Sequence, residues 1–407
     1  MKKLFSTLFI LSFTSIAFSQ NNFQITDSTL YNKAVELSKR FVMVDTHIDL
    51  PDWLYDGWFD VTQESNKGEI DYPRARKGGL DVAFMSIYTS PSLEGTGKSK
   101  VKADSMMSLV HRMVSEWPDK FYFLRSVSDV EQQKDKGKIL LTMGMENGSP
   151  IENNLNNLKE FYDKGVRYIT LAHYKWNHIS DSANDTIRKW NGLSPFGEDV
   201  VKEMNRLGMM VDISHVSDST FYDVIKLSKA PVIASHSCCR YFPPDYERNM
   251  NDEMIKVLAK NGGVIQIAFA SFFLRNDIYE QYINGEDKIK SYLKENNIKS
   301  GTEAAWKYEE NYWKENPLAS GTVKDVANHI DHIKNLVGID YVGIGSDFDG
   351  TGGLLPVGLE DASKYPNLVY ELLQRGYSDK DIEKILGGNI LRVWKQVEEV
   401  AENLTSY

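Results

Sequence analysis

Eight short runs rich in Val, Ile, Met and Phe punctuate the chain, at 41–49, 80–89, 139–147, 166–174, 209–216, 231–237, 262–270 and 341–350. Most are separated by stretches with helical patterning, such as "SPFGEDVVKEMNRLG" and "VKDVANHIDHIKNLVG". Strands that alternate with helices pair in parallel through right-handed crossovers, and eight such units close into an α/β fold of the (β/α)8, TIM-barrel type. Gly165, Gly208 and Gly338 stand where helix ends are expected, just ahead of the next strand. An open doubly wound sheet is the competing topology, but no glycine-rich phosphate loop follows the first run.

No internal repeat, low-complexity tract or linker interrupts the sequence, so residues 20–407 read as a single domain. The connection 271–322, rich in Tyr, Trp, Glu and Lys, reads as a helical insertion after the seventh strand. There it overlies the C-terminal mouth, either as a lid or as packing on the rim. In the C-terminal "SDKDIEKILGGNILRVWKQVEEV", Ser378 and Asp381 have capping-box spacing. A helix, a glycine break and a second helix are expected to follow, packed on the barrel wall.

Residues 1–19 carry two lysines, an apolar stretch from Leu4 and a small-x-small ending at Ala17 and Ser19, the pattern of an export signal peptide. The apolar part is short for a membrane span and no second one follows. The mature chain is therefore expected to lack a transmembrane segment and to work in the periplasm or outside the cell. The formal net charge of −10, with no basic run, argues against a nucleic-acid partner. The only cysteines, Cys238 and Cys239, are adjacent and cannot clip distant segments together, so they read as inert thiols.

The polar residues gather at the ends of the runs. His47 and Asp49 finish the first, Glu146 the third, His173 the fourth, His215 the fifth, His236 the sixth, and Asp347 and Asp349 the eighth. A strand's period of two places Asp45, His47 and Asp49 on one face, and puts His215 with Val211 and Ile213, and His236 with Ala234. In a barrel these ends form the active-site face. So many ionisable groups in one place face large desolvation and repulsion costs that a divalent cation offsets. Imidazoles with carboxylates suit zinc or a neighbouring transition metal better than calcium or magnesium. Three histidines and two carboxylates suffice for two ions sharing a bridge, for which Glu146, with two oxygens, is suited. His329 and His332, three apart on a helix ahead of the eighth strand, read as helix-surface residues away from the mouth.

These residues resemble the membrane (renal) dipeptidase family, a metal-dependent branch of amidohydrolase-like barrels, from about Val42 to Val397. The carriers are "VDTHIDLP", "MEN", "ITLAH", "VDISHVS", "SHS", "RNMND", "GIGSDFDG", "GLEDASKYPNL" and "GGNILRVW", in the family's order. The resemblance implies two zinc ions, one held by His47, Asp49 and Glu146 and the other by Glu146, His215 and His236. It further implies that His173 polarises the scissile carbonyl, that Arg248 pairs with the substrate carboxylate, and that Asp347 shuttles a proton. Position alone does not choose Arg248 over Arg240, since both follow the sixth strand.

The expected reaction is hydrolysis of a dipeptide's amide bond by a hydroxide held between the ions, without a covalent intermediate. A related amidohydrolase acting on a lactam or ester, or a non-catalytic metal-containing binding protein, are the alternatives. The resemblance also suggests a homodimer. Where the family commonly has Gly and Asn around the first histidine this chain has Thr46 and Ile48, a Gly after the glutamate is Asn147, and Tyr246 and Glu247 precede "RN". The family's mammalian lipid-anchor signal is not expected here.

Overall fold

Strand order decides the architecture. The computed structural model describes residues 23–299 and 302–406, so the expected leader at 1–19 lies outside the described residues. Eight parallel strands pair in sequence order: β1 (Met43–Ile48), β2 (Leu80–Tyr88), β3 (Ile139–Glu146), β4 (Val166–Thr170), β5 (Met210–Asp212), β6 (Ile233–Ser237), β7 (Val264–Ile267) and β8 (Val342–Ile344). Each of the eight expected runs contains one of them. A ninth strand, Phe121–Phe123, pairs with β3 off this path. Three residues carry too little pattern to announce it.

The ring is completed at one end only. Beyond β8, Phe348 bridges Ile48, the Asp347 N–H donates to His47 O at 3.1 Å, and the Asp49 N–H donates to Phe348 O at 2.9 Å. The protein is a nearly closed TIM-type barrel with helices outside, and its seam lies at the C-terminal mouth. Helix ends agree with the sequence. Gly165 and Gly208 adopt left-handed φ values of 106° and 78° at the C-caps of helices Asn156–Lys164 and Pro195–Leu207, and Gly338 caps Val323–Val337. Among the described residues no helix is long and apolar enough to cross a membrane.

The strands are shorter than the apolar runs for a backbone reason. Asn147, His215, Asp347 and Asp349 have φ of 83°, 66°, 65° and 68°, and a residue in the left-handed region cannot continue a strand. Four rim positions thus turn the chain sharply just where polar side chains accumulate.

Val44, Val82, Phe84, Leu140, Tyr168, Met210, Ile233 and Val264 fill the barrel's N-terminal half together with Ile390, Val393, Trp394 and Val397. This corrects the expectation for the C-terminal segment. Helix Asn389–Thr405 does not merely lie on the wall; its apolar face plugs the open end, with the fully buried Trp394 ring 5.4 Å from Phe84. The glycine break is a single π-helical turn, Lys384–Gly388. At Gly387 a Cβ would stand 2.4 Å from Val42 O, so the close approach of this turn to the start of β1 requires glycine. Ser378 and Asp381 form the capping box as expected.

The insertion folds as helices Ser271–Leu274, Asn276–Glu295 and Glu303–Glu315. The two longer ones zip through aromatic contacts, Tyr292 on Tyr308 at 3.6 Å and Tyr282 parallel to Trp313 at 6.0 Å. Trp394→Ala leaves a cavity at the plugged end and is expected to cost about 3–5 kcal/mol. Equilibrium urea unfolding checks this through a lowered midpoint.

Candidate metal centre at the barrel mouth

Glu146 arrives at the mouth by simple alternation. Leu140 points into the barrel, and Gly144, two residues before Glu146, lies against the Tyr168 ring so closely that a Cβ would stand 1.9 Å from its Cζ. The same parity directs Glu146 inward at the last position of β3.

His47 and His236 do not follow the alternation assumed from sequence. Between Asp45 and Ile48, β1 spends three steps against two on β2, from Ala83 to Met85. Between Ala234 and Ser237, β6 does the same against Ile265 to Ile267 of β7. Each irregularity shifts the facing of the residues beyond it. Asp45 therefore does not share a face with His47. Its carboxylate accepts from the Tyr365 hydroxyl at 2.5 Å and from the N–H groups of His47 and Ser346, tying β1 to the barrel's outer layer. Thr46 and His47 both turn inward. Thr46 donates across the barrel to Ser235 O, and the His47 ring stacks on His236 with centroids 3.7 Å apart. Val211, Ile213 and Ala234 belong to the outer core, so the parity expected to carry His215 and His236 inward is also corrected. His215 enters through its left-handed backbone, three residues beyond β5.

The side chains nevertheless converge on Glu146. Its Oε1 lies 3.1 Å from His215 Nε2, 3.4 Å from His236 Nε2 and 3.4 Å from His173 Nε2. Its Oε2 lies 3.6 Å from His47 Nε2. His47 Nε2 is also 3.5 Å from Asp49 and 4.0 Å from Asp347. Burial would lift Glu146, but His173 and His47 beside it hold it well below the usual carboxylate range. Burial opposes charge on His47 as well, yet Tyr168, Glu146 and Asp49 carry it well above the imidazole range. Burial, assisted by the cation of Arg248, pushes His215 well below that range. Burial, with His47 and Arg248 adding to it, does the same to His236. Asp347 is driven well above its ordinary value by burial, with Asp49 and Glu146 adding repulsion.

This donor set fits a divalent transition metal. His47 Nε2 is buried with no hydrogen-bond partner. The ligand atoms of His47, Asp49 and Glu146 lie within 4.8 Å of one another, as do those of Glu146, His173 and His215 and those of His47, His236 and Asp347. His236 Nε2 stands 2.9 Å from His215 Nε2, although the tightest clusters set His173 beside Glu146 and His215, and His236 beside His47 and Asp347.

The geometry separates the two arginines. Arg240 is consumed by both oxygens of Asp218, at 2.8 and 2.5 Å, and by Asn249 O and Glu247 O. Arg248 is 3 % exposed and donates once, to His236 O at 2.7 Å; its Nε and one terminal nitrogen are buried without partners. Above the centre opens a cleft of about 380 Å³ lined by Tyr88, His173, Tyr174, Phe273, Tyr282 and Asp347 among others, within the ~300–1,000 Å³ usual for small-molecule sites. Tyr282 and Phe273 come from the insertion, which therefore forms part of the cleft wall.

A family model described as membrane dipeptidase, peptidase family M19, matches residues 31–407. The chain belongs to the membrane dipeptidase family. It is 36% identical over 344 residues to dipeptidase aclJ of Aspergillus oryzae, covering 83% of this chain and 72% of that one. It is 31% identical over 385 residues to mouse dipeptidase 3, with 92% and 68% covered. The probable dipeptidase PvdM from Pseudomonas aeruginosa superposes with a TM-score of 0.79 at 27% identity, over 92% of this chain and 99% of that one. Membership makes this chain a metallopeptidase of the dipeptidase type, a hydrolase that works with a divalent metal.

Departures from the membrane dipeptidase pattern have local explanations. Asn147 occupies φ 83°, where glycine is the easiest choice and asparagine is among the few others favoured. Its side chain donates to Thr89 O at 2.8 Å and accepts from Asn177 at 2.9 Å. Glu247 fastens the loop beside Arg248 by accepting from Arg188 and the Asp218 N–H. His329 is corrected: it is fully buried, accepting from Cys239 N–H at 2.9 Å and paired with Leu274 O. Burial pushes its imidazole down to about 3. His332 pairs with Asp252 instead, at 2.7 Å, so the two do not share a site.

Sequence reasoning missed Tyr168, Asp212 and Ser235, which hydrogen-bond behind His47 and His236. Their signal is polarity at interior positions of otherwise apolar strands. Cys238 and Cys239 are buried, and burial raises both thiols well above their usual value. Both are expected to resist a thiol-specific reagent in the native enzyme at pH 8 and to react after denaturation; a spectrophotometric thiol count checks this.

Proposed function

We propose that this enzyme is a zinc-dependent dipeptidase that holds two ions, one on His47, Asp49 and Glu146 and one on Glu146, His215 and His236, and cleaves the amide bond between two amino acids. The reading is carried by a carboxylate ringed by four imidazoles under a cleft of dipeptide scale, with a buried Arg248 that has N–H groups to spare bonded to the backbone of one of them, His236. Neutral imidazoles with carboxylates suit zinc, and the two oxygens of Glu146 suit a bridge. When bound, the two ions supply Lewis-acid polarisation of the carbonyl and acidify a water.

The chain's own residues do the rest. Arg248 offers its free N–H groups to the terminal carboxylate of the substrate, a charge-assisted pair that a longer peptide with no carboxylate at that distance does not make. His173, at the rim with its Nε2 toward Glu146, donates to the carbonyl oxygen as negative charge develops there. Asp347, on the cleft wall 4.0 Å from His47 Nε2, starts as the carboxylate, takes a proton from the attacking water and returns it to the leaving amine. Tyr88, Tyr174 and Tyr282 narrow the cleft and exclude water from the remaining space. The leader-like residues 1–19 extend the proposal to an exported enzyme, periplasmic or extracellular.

Arg248→Ala is expected to raise KM for dipeptides by roughly tenfold to a hundredfold, the equivalent of about 1.5–3 kcal/mol for a charged hydrogen bond, with a much smaller change in kcat. Steady-state kinetics on a dipeptide panel measure this, and an unchanged KM removes Arg248 from the role. Asp347→Asn is expected to lower kcat by about 10²–10⁴-fold without loss of zinc content. Chelation is expected to abolish turnover and zinc to restore it, with elemental analysis giving two ions per chain; turnover that survives removal of all metal overturns the reading.

A further inference from the structure

We infer that Tyr168 and Ser235 are positioning residues that lock the tautomers of His47 and His236, so that each ring presents a bare Nε2 to its own oxygen of Glu146. The inference rests on the proposed ligand roles of those two histidines. Counting protons leads to it.

The Tyr168 hydroxyl has one hydrogen. It lies 2.8 Å from Thr46 O, a carbonyl that can only accept, so the hydrogen goes there. The same oxygen is 2.8 Å from His47 Nδ1 and has only lone pairs left to offer. His47 Nδ1 must therefore carry a hydrogen, so when a cation displaces the ring's other proton it is Nε2 that is bared. That Nε2 is the buried atom without a partner, 3.6 Å from Glu146 Oε2.

The second lock has the same logic. Ser235 donates its one hydrogen to Asp212 Oδ2 at 2.6 Å and stands 2.8 Å from His236 Nδ1. Asp212 is fully buried and also accepts the N–H groups of Ser214 and Ser235 and the Thr170 hydroxyl. Four donors fix it as an acceptor, so Ser235 can only accept from His236 Nδ1–H. His236 Nε2 is then bare, 3.4 Å from Glu146 Oε1. His173 and His215, by contrast, have Nδ1 atoms without partners. The barrel thus carries one lock for each side of the bridging carboxylate, built from β4, β5 and β6 below the mouth. Burying a phenol, two hydroxyls and a carboxylate in a barrel interior is costly compared with aliphatic packing, and the locks are what that polarity accomplishes.

Asp212→Asn gives the sharpest test because it preserves volume. The two backbone N–H groups that now reach Asp212 Oδ1 hold the amide oxygen of the new side chain, which turns its NH2 toward Ser235. Ser235 is then free to donate to His236 Nδ1, which moves the ring's hydrogen to Nε2, where it opposes binding of a cation. Full-length wild type, Y168F, S235A and D212N, each stripped by chelation, are titrated calorimetrically with Zn²⁺ against a competing chelator, with unfolding midpoints measured before zinc is added.

Loss of such an outer hydrogen bond lowers metal affinity by roughly 10–100-fold. The expected result is that loss at one site in Y168F and at the other in both S235A and D212N, with the remaining site and the zinc-free midpoint unchanged. Two wild-type-like affinities in S235A and D212N, or in Y168F, overturn the lock. A wild type that binds fewer than two zinc ions overturns the underlying reading of the site instead, so the two failures are distinguishable. Equal weakening of both sites with a lowered midpoint shows a purely structural role and also overturns the lock.

Discussion

The contact on which the mouth depends is the seam between β8 and β1. The main-chain links across it come from the segment beyond β8, through Phe348 to Ile48 and through the N–H groups of Asp347 and Asp49, and Thr46 adds a side-chain link to Ile344 O at the end of β8. Closing a ring of eight strands fixes where its first and last members sit, and here the residues that close it are neighbours of the chemistry. His47 supplies the carbonyl that receives Asp347, and Asp49 donates across the same seam before starting helix Leu50–Asp56. A shift in the seam would move the carboxylates of Asp49 and Asp347 relative to His47, so barrel closure and site geometry are one constraint.

A second constraint comes from electrostatics. The centre mixes an acid held down, Glu146, with an acid pushed up, Asp347, and imidazoles displaced in both directions. Groups with ordinary solution behaviour do not diverge this way within a few ångströms; low dielectric and mutual interaction separate them. Arg248 contributes as a fixed cation at the side of His215 and His236, opposite in effect to the acids around His47. The charges around the centre are therefore unevenly placed, acids beside His47 and a cation beside His215 and His236. A zwitterionic ligand enters such a field in a preferred orientation.

The sequence displayed the barrel and the polar residues of its mouth more clearly than it displayed how they are aimed. Glu146 was legible because β3 is regular, and alternation from Leu140 through Gly144 carries it inward. His47 and His236 do reach the mouth, but by a route other than strand alternation. Their facing is set by a mismatch of steps against β2 and β7, which is a property of two strands and leaves no mark in either one alone. His215, Asp347 and Asp349 depend on left-handed backbone at non-glycine residues, which composition does not announce. Trp394 looked like one more apolar position of an amphipathic helix, because the end of the barrel it fills is assembled from residues hundreds of positions away. The difference between Arg240 and Arg248 lies in the bonding of each guanidinium: the first is surrounded by acceptors, the second has almost none.

The helix that carries Trp394 has a bearing on how the molecule comes into being. Residues 389–405 supply the floor of a barrel whose walls begin at Met43. During synthesis the walls emerge before this helix and remain open underneath, with Val44, Phe84 and Tyr168 exposed from below, until it docks. Seating Trp394 is therefore the step that dries the barrel's lower interior.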